Sequence, residues 1–180
     1  MKQGIFEIKS NIALTATVYK MVLVGDTSAV TAPGQFVNIL LDGLFLRRPI
    51  SVHDCVGAEL TLIYKVVGKG TEQMAKMTAG QTLDVLTGLG NGYDLSKAGD
   101  RPLLIGGGVG VPPLYMLARQ LREAGKEVSV ILGFNTKDEV FCEEDFKALG
   151  CDTTVTTVDG SYGVKGFVTN ALPESYTYFY

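Results

Sequence analysis

Cysteine is scarce in this 180-residue sequence: Cys55, Cys142 and Cys151 are the only three, and no two stand in a CxxC spacing. An odd, scattered set argues against a disulfide framework or a cysteine metal site and leaves reduced, buried or incidental thiols. Histidine is scarcer still. His53 stands alone, without a cysteine, aspartate or second histidine at ligand spacing, and reads as a hydrogen-bonded structural residue. No apolar run approaches the ~18–20 residues of a membrane helix, and the N-terminus lacks a signal-like apolar core, so a soluble, cytoplasmic chain is expected. There is no surplus of positive charge either. A net charge of −3 and a pI near 5.2 argue against a nucleic-acid binder held by phosphate neutralisation. The G-x-S-x-G, HExxH and Walker sequences are all missing, so hydrolase and ATPase chemistry has no residues to carry it.

What is present is apolar and rich in glycine. With 46% hydrophobic residues, 22 glycines and 8 tyrosines, the chain can bury a real core as one large domain or two small ones. Residues 1–97 carry 9 basic and 8 acidic side chains and residues 98–180 carry 7 and 11, a shift compatible with a boundary near Ala98–Pro102. The first half reads as β. "IFEIKSNIALTATVYKMVLVG" alternates, and "GQFVNILL", "LTLIYKVVG" and "TLDVLTGLG" are short runs bounded by turn residues, as in a small antiparallel barrel or sandwich. "TEQMAKMTAG" interrupts them as a short helix, with Thr71 as its N-cap and Gly80 as its stop.

The second half alternates strand and helix. "PLLIGG" leads into glycines, and "PPLYMLARQLREAG" has apolar residues at helical spacing, prolines at its start and Gly125 at its end. "EVSVILGF" and "TTVTTV" read as further strands, with "EEDFKALG" a helix between them. "GFVTNALPE" reads as one more helix and "YTYFY" as a last, central-type strand. This alternation predicts a parallel sheet with crossover helices. The expected organisation is a β domain over 1–98 and an α/β domain over 99–180.

Two strings carry chemistry. "GGGVGVPP" (residues 106–113) joins the clearest strand to the clearest helix, where glycines admit a close ligand and a helix N-terminus favours a pyrophosphate. From Gly108 its pattern is GxGxxP, not GxGxxG. After the next strand, "FNTKDE" has no arginine and two acids, which leans toward NAD over NADP, with Lys137 opposing. "RRPIS" (47–51) offers a guanidinium fork, a proline-fixed backbone, an apolar face at Ile50 and a hydroxyl at Ser51. Paired arginines usually face water. A dinucleotide needing both a phosphate clamp and a hydrophobic plate would use the whole string.

Taken together, RPIS, "IYKVVGKGT", "GLGNGYDL" and "LLIGGGVGVPPLYMLA", in that order over essentially the whole chain, resemble the ferredoxin–NADP reductase superfamily. With "SYGVKGFVTNAL" near the C-terminus, the likeness narrows to the electron-transfer subunits of dihydroorotate dehydrogenase B. The resemblance implies a two-domain fold, an antiparallel flavin-binding β-barrel followed by an α/β parallel-sheet nucleotide-binding domain. It implies FAD and NAD(H) as cofactors and a catalytic flavoprotein partner, in a hetero-oligomer, that oxidises dihydroorotate to orotate in pyrimidine biosynthesis. It carries the flavin-clamping tetrapeptide onto Arg48, Pro49, Ile50 and Ser51, with Arg48 toward the FAD pyrophosphate and Ile50 in place of a ring-stacking tyrosine. Ile63, Tyr64 and Lys65 match a second flavin-contacting strand, and Gly70 and Thr71 a phosphate-meeting helix start. Gly107, Gly108, Gly110, Val111 and Pro112 fall on the nicotinamide-side loop. Arg47 receives no role beyond a surface or supporting charge.

The flavin would accept a hydride and release electrons singly, so no side chain is expected to act as catalytic acid or base. Members of the family continue into a Cys-Gly-Pro turn and a cysteine-rich segment holding a [2Fe–2S] cluster, which needs four thiolates. Those cysteines are not among these 180 residues, as in a fragment or in a variant without its own cluster. A chain ending at Tyr180 is expected to bind FAD, hold no cluster and relay electrons poorly. Two alternatives stay open: a reductase subunit for another partner (hydrogenase, sulfide or ferredoxin reductase, oxygenase), or a non-catalytic flavin-binding remnant.

Overall fold

The computed structural model describes all 180 residues, Met1–Tyr180, and divides into two compact units, Met1–Gly92 and Tyr93–Tyr180. Residues 93–98 go with the second unit. Tyr93 meets Tyr180 edge-on at 5.8 Å, the Tyr180 hydroxyl donates to the Asp94 carbonyl, and Thr177 Oγ1 donates to the Ala98 carbonyl.

The first unit contains β1 (Lys2–Ala13), β2 (Val18–Val24), β3 (Phe36–Leu40), β4 (Arg48–Val56), β5 (Glu59–Lys65) and β6 (Thr82–Leu89). They close as an antiparallel barrel in the order β1-β2-β5-β4-β3-β6. Period-2 alternation puts Phe6, Ile8, Met21, Leu23, Val37, Ile39, Leu60, Leu62 and Val85 in its core, each at most 1% exposed. The long N-terminal β run is in fact a hairpin. It turns where Thr15 Oγ1 accepts the Val18 N–H and the Leu14 N–H donates to the Val18 carbonyl.

Helix α1 (Lys69–Ala75) lies between β5 and β6 and starts two residues before Thr71. Gly68 is its N-cap. Thr71 sits inside the first turn, where its Oγ1 accepts from the Val67 and Gly68 N–H groups, 2.9 and 3.3 Å away. The helix ends before Gly80, which at φ 86° forms the turn into β6.

The second unit holds β7 (Pro102–Gly107), α2 (Leu114–Glu123), β8 (Ser129–Phe134), α3 (Glu143–Ala148), β9 (Asp152–Thr157), β10 (Val164–Lys165) and β11 (Tyr178–Phe179). All strand pairs are parallel, in the order β10-β9-β8-β7-β11. Helix α2 buries Leu114, Leu117, Ala118 and Leu121, and its Tyr115 meets Phe146 of α3 edge-on at 5.7 Å. Gly125, at φ 78°, closes α2 as the sequence suggests.

Two expectations fail here. The 166–174 stretch makes a single 3-10 turn, Val168–Ala171, because only six residues separate Gly166 (φ 122°) from Pro173, too few to repay helix nucleation. The aromatic strand β11 is an edge, not a central strand, pairing with β7 alone. No helix is long and apolar enough to cross a membrane.

Candidate functional site

The barrel is incomplete along one seam. β4 pairs with β5 from Val56/Glu59 up to Val52/Leu62, with one extra β4 residue, His53, between the rungs at Val52 and Asp54. Such a bulge bends its strand and ends pairing. Beyond it, Arg48–Ser51 pair only with β3 and Ile63–Lys65 only with β2. Three missing rungs at about 3.3 Å each leave an opening about 10 Å long, bordered by main-chain N–H and C=O groups with no ladder partner across it. The tetrapeptide Arg48–Ser51 and the tripeptide Ile63–Lys65 are its two lips. His53, 2% exposed, is the bulge residue that starts it.

The two adjacent arginines have opposite fates. Arg47 Nη1 donates to Asp84 Oδ1 (3.0 Å), to the Asn38 carbonyl (3.2 Å) and to the Asp84 carbonyl (3.4 Å). This guanidinium holds the Asp84 carboxyl below the ordinary carboxylate range; Gln3 adds to the effect and partial burial opposes it. Arg48, half-buried, donates to the nearby Leu46 carbonyl and pairs with no carboxylate. Its Nε lies 2.0 Å from where a Cβ on Gly70 would stand. Gly70 is therefore the space that lets an uncommitted guanidinium rest on the start of α1.

The opposite lip is fixed from inside. Tyr64 is 2% exposed and stacks on Tyr19 at 5.9 Å. Its hydroxyl donates to Asn11 Oδ1 (3.0 Å), while Asn11 Nδ2 donates to the Met74 and Met77 carbonyls at 2.9 Å each. β5, β1 and the end of α1 are thus tied through one amide. Burial pushes the Tyr64 phenol up to about 12. The Ile63 and Tyr64 side chains are both buried, so these two residues offer a ligand chiefly their backbone.

In the second unit the strand order reverses between β7 and β11, the position at which open α/β sheets bind ligands, and the 106–113 turn leaves the carboxyl end of β7 there. Gly106 has no room for a side chain: a Cβ would stand 2.9 Å from Leu114 Cδ1 and 3.0 Å from Val111 Cα. Gly108 (φ 51°) and Gly110 have nothing within 4 Å of that position, so the outer face of the turn is open backbone. Val111 and Pro112, on the same loop, are buried.

The expected helix-terminus donors are largely spent. Pro112 and Pro113 have no N–H, and those of Leu114 and Tyr115 donate to the Val111 and Pro112 carbonyls. After β8, Glu139 turns onto the Asn135 side-chain amide (2.9 Å), Asp138 stays exposed, and Lys137 Nζ lies 6.0 Å above the Tyr162 ring.

The site residues chosen from sequence therefore form two groups. Arg48, Pro49, Ile50, Ser51, Ile63, Tyr64, Lys65, Gly70 and Thr71 surround the barrel seam, and Gly107, Gly108 and Gly110 line the sheet turn. Sequence reasoning missed Asn11, Asp84 and the bulge at His53. A lone asparagine within an alternating apolar strand was the one available sign of the first. The three cysteines form no disulfide, and burial pushes the Cys151 thiol up to about 11.

No protein-family model matches the sequence. Among curated proteins, the chain is 47% identical over 173 residues to the dihydroorotate dehydrogenase B (NAD(+)) electron transfer subunit of Fusobacterium nucleatum, covering 92% of this chain and 66% of that protein. To the Bacillus pumilus protein of the same name it is 44% identical over 183 residues, covering 97% and 70%. The chain thus spans about two thirds of the length of these relatives. Among solved structures, an NADH-dependent reduced ferredoxin-NADP oxidoreductase matches with a TM-score of 0.84 at 35% identity, covering 93% of this chain and 62% of that one. The cytochrome b5 reductase domain of Ulva prolifera nitrate reductase matches with a TM-score of 0.77 at 15% identity, covering 98% and 85%, which is a likeness of fold alone. With the barrel, the parallel sheet and identity of this extent in hand, the chain belongs to the family of dihydroorotate dehydrogenase B electron transfer subunits.

Proposed function

We propose that this chain is an FAD-dependent, NAD-linked electron-transfer subunit that exchanges electrons between NAD(H) and a partner flavoprotein oxidising dihydroorotate to orotate, in a cytoplasmic hetero-oligomer. The observation that carries this reading is the open β4/β5 seam with an uncommitted Arg48 at its mouth. The residues present fit FAD. The two ladder-free edges suit the donors and acceptors of a flat heteroaromatic ring, and Ile50 adds an apolar surface. Arg48 beside Gly70 suits a pyrophosphate, because a guanidinium fork matches phosphate oxygens. Bound there, FAD would supply two-electron acceptance and one-electron release.

The chain's own residues bind and orient. The Ser51 hydroxyl and backbone hold the ring edge, Lys65 borders the opposite lip, and Thr71 braces the turn before α1 by accepting the Val67 and Gly68 N–H groups. In the second unit, the open backbone of Gly107, Gly108 and Gly110 would receive the NAD(H) pyrophosphate. Exposed Asp138 and the absence of an arginine fork disfavour a 2′-phosphate. Flavin reduction under anaerobic conditions tests this: NADH should reduce bound FAD faster than NADPH, and a clear preference for NADPH would contradict the assignment.

The 35% identity to a ferredoxin-linked oxidoreductase supports a second reading, in which a ferredoxin is the electron partner. Co-purification with, and reduction by, a dihydroorotate-oxidising subunit against a ferredoxin separates the two.

A further inference from the structure

We propose that Arg47 is a positioning residue for the phosphate clamp: its side chain fixes the first rungs of β4 so that Arg48 is presented to a pyrophosphate. The inference rests on the Arg48 assignment above and goes beyond it, since Arg47 carries only a supporting charge by resemblance.

Asn38 and Pro49 face each other as a pair that exchanges no main-chain hydrogen bond, since the Val52 N–H donating to the Gln35 carbonyl sets the alternation, and the Asn38 carbonyl points away from β4 toward β6. Arg47 Nη1, from the residue that precedes β4, reaches over β3 and donates to that carbonyl at 3.2 Å. The nitrogen continues across β3 to Asp84 on β6, whose other oxygen accepts from Gln3 of β1 at 2.7 Å. One belt therefore runs from the residue that leads into β4 over three consecutive strands, β3-β6-β1.

The belt is needed where it lies. The loop before it presents Phe45 (96% exposed) and Leu46 (66% exposed) to solvent, so packing does little to hold the chain there. On the other side of β4 the β5 ladder is missing. Adjacent residues on a strand face opposite ways, so Arg47 anchors outward along the barrel wall while Arg48 reaches toward α1. Without the Arg47 anchor, the backbone under Arg48 is held on one edge only, by the end of the β3 ladder.

The test is a double-mutant cycle on the apo chain, with ADP as the pyrophosphate probe and riboflavin as a probe lacking phosphate. Arg47→Met keeps the stem and removes the donors. It should weaken ADP and FAD roughly tenfold, about 1.4 kcal/mol, and leave riboflavin within about twofold. In Arg47→Lys, one ammonium carries three donors and can meet the same acceptors, so affinity should largely return. The variant carrying both Arg47→Met and Arg48→Ala should bind ADP no more weakly than Arg48→Ala alone, because Arg47 acts only through Arg48.

Equal loss of riboflavin and ADP in Arg47→Met, or additive losses in the double variant, would reduce Arg47 to general stability and overturn the inference. Undiminished ADP binding in Arg47→Met, with Arg48→Ala impaired, would overturn it while leaving the clamp intact. Undiminished ADP binding in Arg48→Ala would overturn the clamp and this inference together.

Discussion

The two units make their candidate sites by opposite means. The barrel site consists of groups that are present: a guanidinium without a counterion, two strand edges without a ladder, a hydroxyl. The sheet site consists of groups that are missing: at Gly107, Gly108 and Gly110 there is no side chain between backbone and solvent. A site made of present groups is lost when an atom is removed, and one made of absences when an atom is added. Gly70 sits in the barrel yet obeys the second rule, because a Cβ there would occupy the place of the Arg48 Nε.

The largest effect should come from adding atoms at Gly106. A Cβ at that position is already 3.0 Å from Val111 Cα and 3.1 Å from the Gly110 carbonyl, atoms that move only with the backbone. Gly106→Val should destabilise the second unit by about 3 kcal/mol or more, as overpacking does in a tight core. Gly110→Ala, with open space at its Cβ, should change stability by about 0.5 kcal/mol or less. Thermal unfolding of the two variants gives the contrast directly. Similar melting points would mean that the turn is not built around Gly106.

Asn11→Ala should be next, costing about 1–3 kcal/mol, because it strips the Tyr64 hydroxyl and the Met77 carbonyl of a partner and takes from the Met74 carbonyl one of its donors. Urea unfolding measures it, and FAD affinity should fall with stability, since the opposite lip and the end of α1 loosen together. A stability change near zero would break the link drawn between them.

Gly70→Ala should separate binding from folding. Gly70 stands in the first turn of α1 without a positive φ, where alanine gains roughly 0.4–1 kcal/mol over glycine by restricting the unfolded chain, while the displaced Arg48 loses its seat. Unchanged or slightly higher stability is expected, with FAD affinity lower by about tenfold or more. Fluorescence titration with FAD, beside a melting curve, reads both. Retained affinity would show that Arg48 re-seats freely.

The smallest effects are those of pH. The Asp84 carboxyl titrates below its ordinary value in the folded chain, so its contribution is present above the unfolded value and is lost as pH falls through the folded one. Asp84→Asn should therefore flatten the acid limb of the stability profile. Tyr64 acts at the other end. Its folded value of about 12 lies above the ordinary 10, so stability is complete below 10 and declines as pH rises toward 12. Tyr64→Phe should remove that alkaline decline, and a decline of unchanged size would assign it elsewhere.

What could be read from sequence was whatever local chemistry encodes. The strand–glycine–proline–helix order at 102–123 places β7, its turn and α2 almost to the residue, because glycine and proline act through their own backbone. The strings RPIS, IYK and GKGT mark the two lips and the helix start. What could not be read depends on partners far along the chain. Asp84 lies 37 residues from Arg47, Asn11 53 residues from Tyr64, and the bulge at His53 exists only against β5. Thr71 has the residue type of a cap, and its hydroxyl does accept from the helix-start backbone, but from inside the first turn, with Gly68 as the N-cap. The aromatic and β-branched composition of the last strand speaks for β structure and carries no information on edge or centre, which is set by strand order.

The central claim is that the β4/β5 seam holds FAD through Arg48. The most direct measurement is the flavin content of the wild-type chain and of Arg48→Ala after reconstitution with FAD and gel filtration. The account predicts one FAD per wild-type chain and substantial loss from the variant, with both proteins folded. A wild-type chain that retains no flavin, or a variant that retains it equally, would contradict it.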